Sequence, residues 1–229
     1  DAVEMFETEA PDGWSCWAFS NHDVVRHATR WGAYERDPER YLKLVAGILF
    51  TLRGSACIYQ GEELGLPEAD ISYEDLQDPY GIRFWPKFKG RDGARTPMVW
   101  ASNIPNGGFT TNKPWLPVPD IHRAMAVDTQ QGRDASVYEF YRDFLEFRHE
   151  HPVLAKGEIS FVDTPEDVVA YLRTDGASTL LCAFNLGHTD ASFEPGIAVE
   201  RLTGAPLDGM VENGVVRLKA LGGFIGRVK

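Results

Sequence analysis

Apolar positions in the first quarter of the chain form two short runs flanking one long helical pattern. Trp14-Ser15-Cys16-Trp17-Ala18-Phe19 comes after the turn residues Pro11-Asp12-Gly13 and predicts a buried strand ending at Ser20-Asn21-His22-Asp23. Tyr41, Leu44, Val45, Ile48, Leu49 and Leu52 then recur at i, i+3, i+4, i+7, i+8 and i+11, the spacing of one helix face. Asp37 can cap this helix, Pro38 suits its first turn and Gly54 ends it. Ser55-Ala56-Cys57-Ile58-Tyr59 reads as a second strand, so strand, helix and strand form one right-handed βαβ unit with parallel strands.

Periodicity is then lost from Gln60 to about Gly132, where Pro79, Pro86, Pro97, Pro105, Pro114, Pro117 and Pro119 punctuate aromatic and charged residues. Loops of that length inside a compact domain tend to carry function. Helical period returns over Ser136 to Arg148, with Val137, Phe140, Tyr141, Phe144 and Leu145 on one face and Ser136 with Glu139 as a capping box. After Pro152 the pattern changes to short alternating runs: Gly157 to Val162, Val168 to Leu172, Thr179 to Phe184, Ala191 to Phe193, Val215 to Leu218 and Phe224 to Val228. The expected organisation is an α/β part over residues 1–151 and a small antiparallel β-domain over 152–229.

Composition narrows the classes. With 43% hydrophobic and 25% charged residues the chain is globular, and no apolar run approaches the ~18 residues of a spanning helix. A net charge of −11 with scattered basic residues argues against nucleic acid and suits a neutral substrate. Cys16, Cys57 and Cys182 each lie in an apolar run and are expected as buried free thiols. Unpaired cysteines and the absence of a signal-peptide pattern favour a cytoplasmic location and no membrane partner.

Three clusters can carry chemistry. Asn21-His22-Asp23 ends a predicted parallel strand, where α/β folds gather polar groups around a crevice, although Asp23 could equally cap the next segment of chain. Gln60-Gly61-Glu62-Glu63 ends the other strand; paired carboxylates serve glycoside hydrolysis, but strand-end acids also fix loops, and that structural reading is preferred here. Gly90-Arg91-Asp92-Gly93-Ala94-Arg95-Thr96-Pro97-Met98-Val99-Trp100 joins two guanidinium groups, a carboxylate and an aromatic on a glycine-rich turn, suited either to sugar hydroxyls or to a loop-locking ion pair. Among Trp14, Trp17, Trp31, Trp85, Trp100 and Trp115, most are expected in the core. His149-Glu150-His151 is not read as a metal site, because residues two apart do not face one another on a helix. No cofactor is expected, and isolated glycines give no phosphate cradle.

Taken together, Phe19-Ser20-Asn21-His22-Asp23-Val24-Val25-Arg26, Ile58-Tyr59-Gln60-Gly61-Glu62-Glu63-Leu64-Gly65, the Gly90 to Trp100 block, Gly108-Phe109-Thr110-Thr111 and Pro114-Trp115-Leu116 are distinctive. Their order and spacing resemble the C-terminal half of the α-glucosidases and oligo-1,6-glucosidases of glycoside hydrolase family 13, the α-amylase family. The resemblance runs by motif from Trp14 to about Pro119 and by architecture beyond.

The resemblance implies an α/β plus all-β chain: the C-terminal part of a (β/α)8 TIM barrel, strands seven and eight with their helices, then a small antiparallel β-sandwich domain. It implies Asp23 as transition-state stabiliser and His22 and Arg91 as glucose ligands, with Arg91 paired to an Asp that is expected upstream of this region and not in this chain. Asp92 and Arg95 would support the loop, and Glu62 and Glu63 would be structural. The family's nucleophilic Asp and acid/base Glu would lie upstream of this region, since Gly81-Ile82-Arg83-Phe84-Trp85 offers Trp85 where a nucleophile is needed. Two barrel strands in 229 residues cannot close a barrel of about 250 residues, so the isolated chain is expected to be inactive. The implied substrate is an α-glucoside oligosaccharide or a maltose-like sugar, and the implied protein partner is the upstream barrel segment. An α-glucosyl transferase or isomerase of the same family, or a non-catalytic scaffold with its fold, are the alternatives.

Overall fold

A computed structural model describes residues 2–229. In chain order it runs α1 (Ala2–Glu9), β1 (Cys16–Ala18), α2 (His27–Arg30), α3 (Pro38–Thr51), β2 (Ser55–Cys57), α4 (Pro79–Phe84), α5 (Asp120–Ala124), α6 (Val127–Gln130), α7 (Val137–Glu150) and α8 (Val153–Lys156). Eight strands complete it: β3 (Glu158–Val162), β4 (Val168–Thr174), β5 (Thr179–Asn185), β6 (Ala191–Phe193), β7 (Val199–Arg201), β8 (Met210–Glu212), β9 (Val215–Leu218) and β10 (Gly223–Val228). The chain forms two compact units, one of residues up to Trp17 with Lys43–Cys57 and Asp143–Lys229, the other of Ala18–Leu42 with Ile58–Arg142. No helix among the described residues is long and apolar enough to cross a membrane.

Both long helices form where periodicity places them. Asp37 accepts the Arg40 N–H at 3.2 Å, capping α3. The capping box of α7 is only half formed: Ser136 Oγ accepts from Glu139 N at 3.1 Å, but the Glu139 carboxylate turns to Gly132 N at 2.6 Å. The reason is that Ser136 N is already satisfied by the Arg133 carbonyl at 3.0 Å. On α7 the buried stripe reads Phe140, Tyr141, Phe144 and Phe147, while Leu145 is exposed. A 3.6-residue period carries the stripe to position i+7 from Phe140, away from Leu145.

The antiparallel expectation after Pro152 holds, in a five-stranded sheet ordered β3-β4-β5-β10-β7 and a three-stranded sheet ordered β6-β9-β8. Val168, Ala170, Leu181, Ala183 and Phe224 from the first and Phe193, Val216 and Leu218 from the second form one buried cluster. The three-residue strands β7 and β8 are too short for a periodicity to register and were not predicted.

The expectation of buried strands at Trp14 to Phe19 and Ser55 to Tyr59 is not met. β1 and β2 are hydrogen-bonded neighbours of three residues each, in a sheet of just these two strands. Cys16 and Cys57 are therefore exposed and only Cys182, on β5, is buried. A two-stranded ribbon cannot cover its own faces.

Two buried arginines organise the first unit. Arg148 of α7 donates to the carbonyls of Phe50, Gly54 and Leu154, and Arg173 of β4 donates to those of Thr51, Leu154 and Gly157. Phe50 and Thr51 carry last-turn carbonyls of α3, which lack helical partners and sit at the negative end of its dipole, so the two guanidiniums serve as its C-terminal cap. Tyr171 adds a hydroxyl contact of 2.6 Å to Thr51. Replacing Arg173 by Met takes the guanidinium from the Thr51 and Gly157 carbonyls and leaves Leu154 to Arg148 alone; it is expected to lower unfolding stability by about 2 kcal/mol in urea titrations, with Arg173→Lys restoring less than half.

Candidate active site

The segment after β1 turns sharply because Asp23 N donates to Asn21 Oδ1 at 2.8 Å, an Asx turn that leaves His22 and Asp23 half or more exposed. Arg91 and Arg95 flank a 3-10 turn at Asp92–Ala94, and their side chains converge on Asp23. Both reach the same oxygen: Arg91 Nη1 and Arg95 Nη2 each lie 2.9 Å from Asp23 Oδ1. Arg95 Nε also donates to the His22 carbonyl at 2.7 Å, and His22 Nε2 lies 3.6 Å from Asp23 Oδ2.

Behind this cluster stands Asp78, buried at the N-terminus of α4, where its Oδ1 accepts from Tyr80 N at 3.1 Å. It holds Arg91 in a fork, Nε to Oδ2 at 2.9 Å and Nη2 to Oδ1 at 3.2 Å, and takes the Arg91 backbone N–H at 2.9 Å. Asp92 in turn accepts the N–H groups of Gln77 and Asp78 at 2.6 and 2.7 Å. Hydrogen bonds from Arg91 push Asp78 down to about 2, and Asp78 raises Arg91 in return. Desolvation acts to raise the Asp23 carboxyl, but His22 and the guanidiniums of Arg95 and Arg91 outweigh it and hold the group below its ordinary value. The result is a half-exposed carboxylate whose ionised form is favoured, with Oδ1 held by two arginines and Oδ2 beside the His22 ring.

The structure thus brings His22, Asp23 and Arg91 together. It corrects the assignment of Arg95, which touches Asp23 as well as the loop, and adds Asp78, which sequence reasoning missed. The signal for Arg95 was its spacing of four from Arg91; the one local signal for Asp78, an Asp directly before Pro79 that suits a helix start, went unread. Among the described residues Arg91 pairs with Asp78 and Asp23. Glu62 and Glu63 do turn to structural partners: Glu62 lies buried 3.3 Å from His27 Nδ1, and Glu63 accepts from Gly61 N at 2.8 Å. None of the six tryptophans is buried, against the expectation that most are core; Trp14, Trp31, Trp100 and Trp115 are exposed. Trp100 and Trp115, with Phe109, line an apolar groove of about 450 Å³ that no other described side chain fills.

The alpha amylase catalytic domain matches residues 2–157. The chain belongs to this family. It is 51% identical over its whole length to a probable alpha-glucosidase of Rhizobium meliloti (strain 1021), of which it covers 41%, and 33% identical over 81% of its length to an oligo-1,6-glucosidase of Heyndrickxia coagulans, of which it covers 37%. Among solved structures it resembles the alpha-glucosyl transfer enzyme XgtA, with TM-score 0.93 and 45% identity over all of this chain and 43% of that one. It also resembles the trehalulose synthase MutB of Pseudomonas mesoacidophila MX-45, with TM-score 0.83 and 28% identity over 99% of this chain and 45% of that one. The chain therefore spans about two fifths of the length of these α-amylase family relatives.

Two acid steps in stability are expected. Burial pushes His122, whose Nε2 donates to the Pro67 carbonyl at 2.9 Å, from 6.5 down to about 4. The unfolded chain takes up this proton first, so the contribution of neutral His122 is complete above pH 6.5 and is lost as pH falls toward 4. That of Asp78 is complete above 3.8 and is lost as pH falls toward 2. Urea midpoints measured across this range should lose the first step in His122→Gln and the second in Asp78→Asn.

Proposed function

We propose that this chain is the C-terminal part of an exo-acting, retaining α-glucosidase that removes terminal α-linked glucose from oligosaccharides. In this reading β1 and β2 are barrel strands seven and eight, α7 is the closing helix, residues 1–151 end the barrel, and 152–229 form a β-sandwich domain. The family match ending at residue 157 and the purely antiparallel pairing from Glu158 onward support that division. The upstream part of the parent protein supplies the nucleophile, the acid/base group and the remaining strands, which cover the exposed faces of β1 and β2.

The observation that carries the proposal is the Asp23 carboxylate held by two arginines in a chain half identical to a probable alpha-glucosidase. An ionised carboxylate accepts sugar hydroxyls and stabilises the positive charge that develops on the ring at the oxocarbenium-like transition state. Asp23 acts there by charge and hydrogen bonding and forms no covalent bond. His22 donates to a ring hydroxyl, and Arg91, locked by Asp78, offers fixed donors for the glucose unit.

A second reading has its own support: the fold similarity to an alpha-glucosyl transfer enzyme points to passing the same glucosyl intermediate to a sugar hydroxyl instead of water. Release of p-nitrophenol from its α-glucoside tests the common core. The chain co-expressed with an upstream segment should be active, the chain alone silent, and Asp23→Asn should lower kcat/KM of the assembly by roughly 10²–10³-fold. Activity of the chain alone would overturn the assignment of roles. Product analysis with maltose and sucrose then separates free glucose from transfer products.

A further inference from the structure

Arg26 lies three residues beyond Asp23 and is almost wholly buried, yet no carboxylate pairs with its guanidinium among the described residues. Its Nη1 donates to the Gln60 carbonyl at 2.7 Å and its Nη2 to the Ala94 carbonyl at 3.0 Å, while its plane lies 5.2 Å from the centre of the Tyr59 ring. Its backbone N–H goes to Glu68 Oε2 at 2.9 Å. Tyr59 adds a second donor to the same Ala94 carbonyl at 2.9 Å. Gly61 is shaped to this group: its φ is +90°, and an added Cβ would sit 2.8 Å from Arg26 Nη1 and 2.7 Å from Leu66 Cδ1.

Ala94 directly precedes Arg95, the residue that grips Asp23 Oδ1 and the His22 carbonyl. The contacts close a ring: Asp23 to Arg26 along the chain, Arg26 to Ala94 through a hydrogen bond, Ala94 to Arg95 along the chain, and Arg95 back to Asp23. We propose that Arg26 is a positioning residue that fixes Arg95, and through it Asp23, by tying the main chains of the Gln60 and Ala94 loops to its own. The inference rests on the reading of Asp23 as a sugar-facing carboxylate for its catalytic consequence, though not for its geometry. A guanidinium is required because its planar fork reaches two carbonyls of different loops while its Cζ sits over the Tyr59 ring; an ammonium has neither the fork nor the plane. A buried cation that touches no carboxylate, with Glu62, Glu63 and Glu68 acting on it only at longer range, is also a poor way to gain stability alone, which suits a role in fixing geometry.

The test uses the 229-residue chain and, separately, the chain assembled with an upstream segment. In the chain, the Asp23 carboxyl is titrated by carbon-detected NMR, with Asp175, held by the Ala177 and Ser178 N–H groups in another turn, as internal control. Arg26→Lys should raise the Asp23 pKa by about one unit as Arg95 loosens, leaving Asp175 unmoved. Tyr59→Phe, which keeps the ring and removes one donor to Ala94, should shift Asp23 the same way by less, and it decides alone if Arg26→Lys does not fold. In the assembly Arg26→Lys should lower kcat/KM by roughly 10²-fold, mainly through kcat, and should cost little further in an Arg95→Lys background. An unmoved Asp23 titration in the folded variants, or additive losses in the double variant, would overturn the proposal. An assembly whose wild type cleaves no α-glucoside would count against the glucosidase reading, and the Asp23 titration then decides the role of Arg26 by itself.

Discussion

Buried guanidinium groups bonded to main-chain carbonyls are what this fold leans on where regular ladders run out. Arg148 and Arg173 collect the orphan carbonyls at the end of α3, and Arg26 joins two loops that share no strand. Each donates to two or more carbonyls at once, which main-chain N–H groups cannot do across irregular backbone. The price is a buried charge held without a direct ion pair, tolerable because carbonyl dipoles converge on it and helix α3 turns its negative end toward two of the three.

The same logic organises the candidate site, with signs reversed. Asp92 is buried and satisfied by backbone N–H groups, and in that way sets the Asp78 main chain; Asp78 locks Arg91; Arg91 and Arg95 then share one oxygen of Asp23. From Asp78 outward the charges alternate, buried carboxylate to arginine to exposed carboxylate. Exposure rises along the series, so the most rigid pair lies inside and the group that meets solvent inherits its orientation. Such a layered arrangement keeps a carboxylate ionised and aimed without asking the surface residue to hold itself.

Legibility tracked range. α3 and α7 were visible because a helix writes its contacts three and four residues apart, and the antiparallel strands after Pro152 were visible because alternation is local. The strand-end triad Asn21-His22-Asp23 and the Arg91 turn were found as motifs, and the structure unites them. Hidden from the sequence were contacts whose partners lie far away: Arg91 to Asp78, Arg26 to Ala94, and the shift of Arg95 from loop support to a direct hold on Asp23. Burial of Trp14, Cys16 and Cys57 was misjudged because apolarity marks a wish for cover, and cover depends on what neighbours a strand.

Gly61 shows how tightly such a buried fork constrains the chain's history. The space a methyl group would take there belongs to Arg26 and Leu66, and the positive φ already excludes most side chains. A methyl group at Gly61 would press the guanidinium and the Leu66 side chain aside, and a shorter side chain at Arg26 would open a polar void facing two carbonyls. A change at either position therefore loads the other, and substitutions at the two sites are expected to be coupled rather than additive.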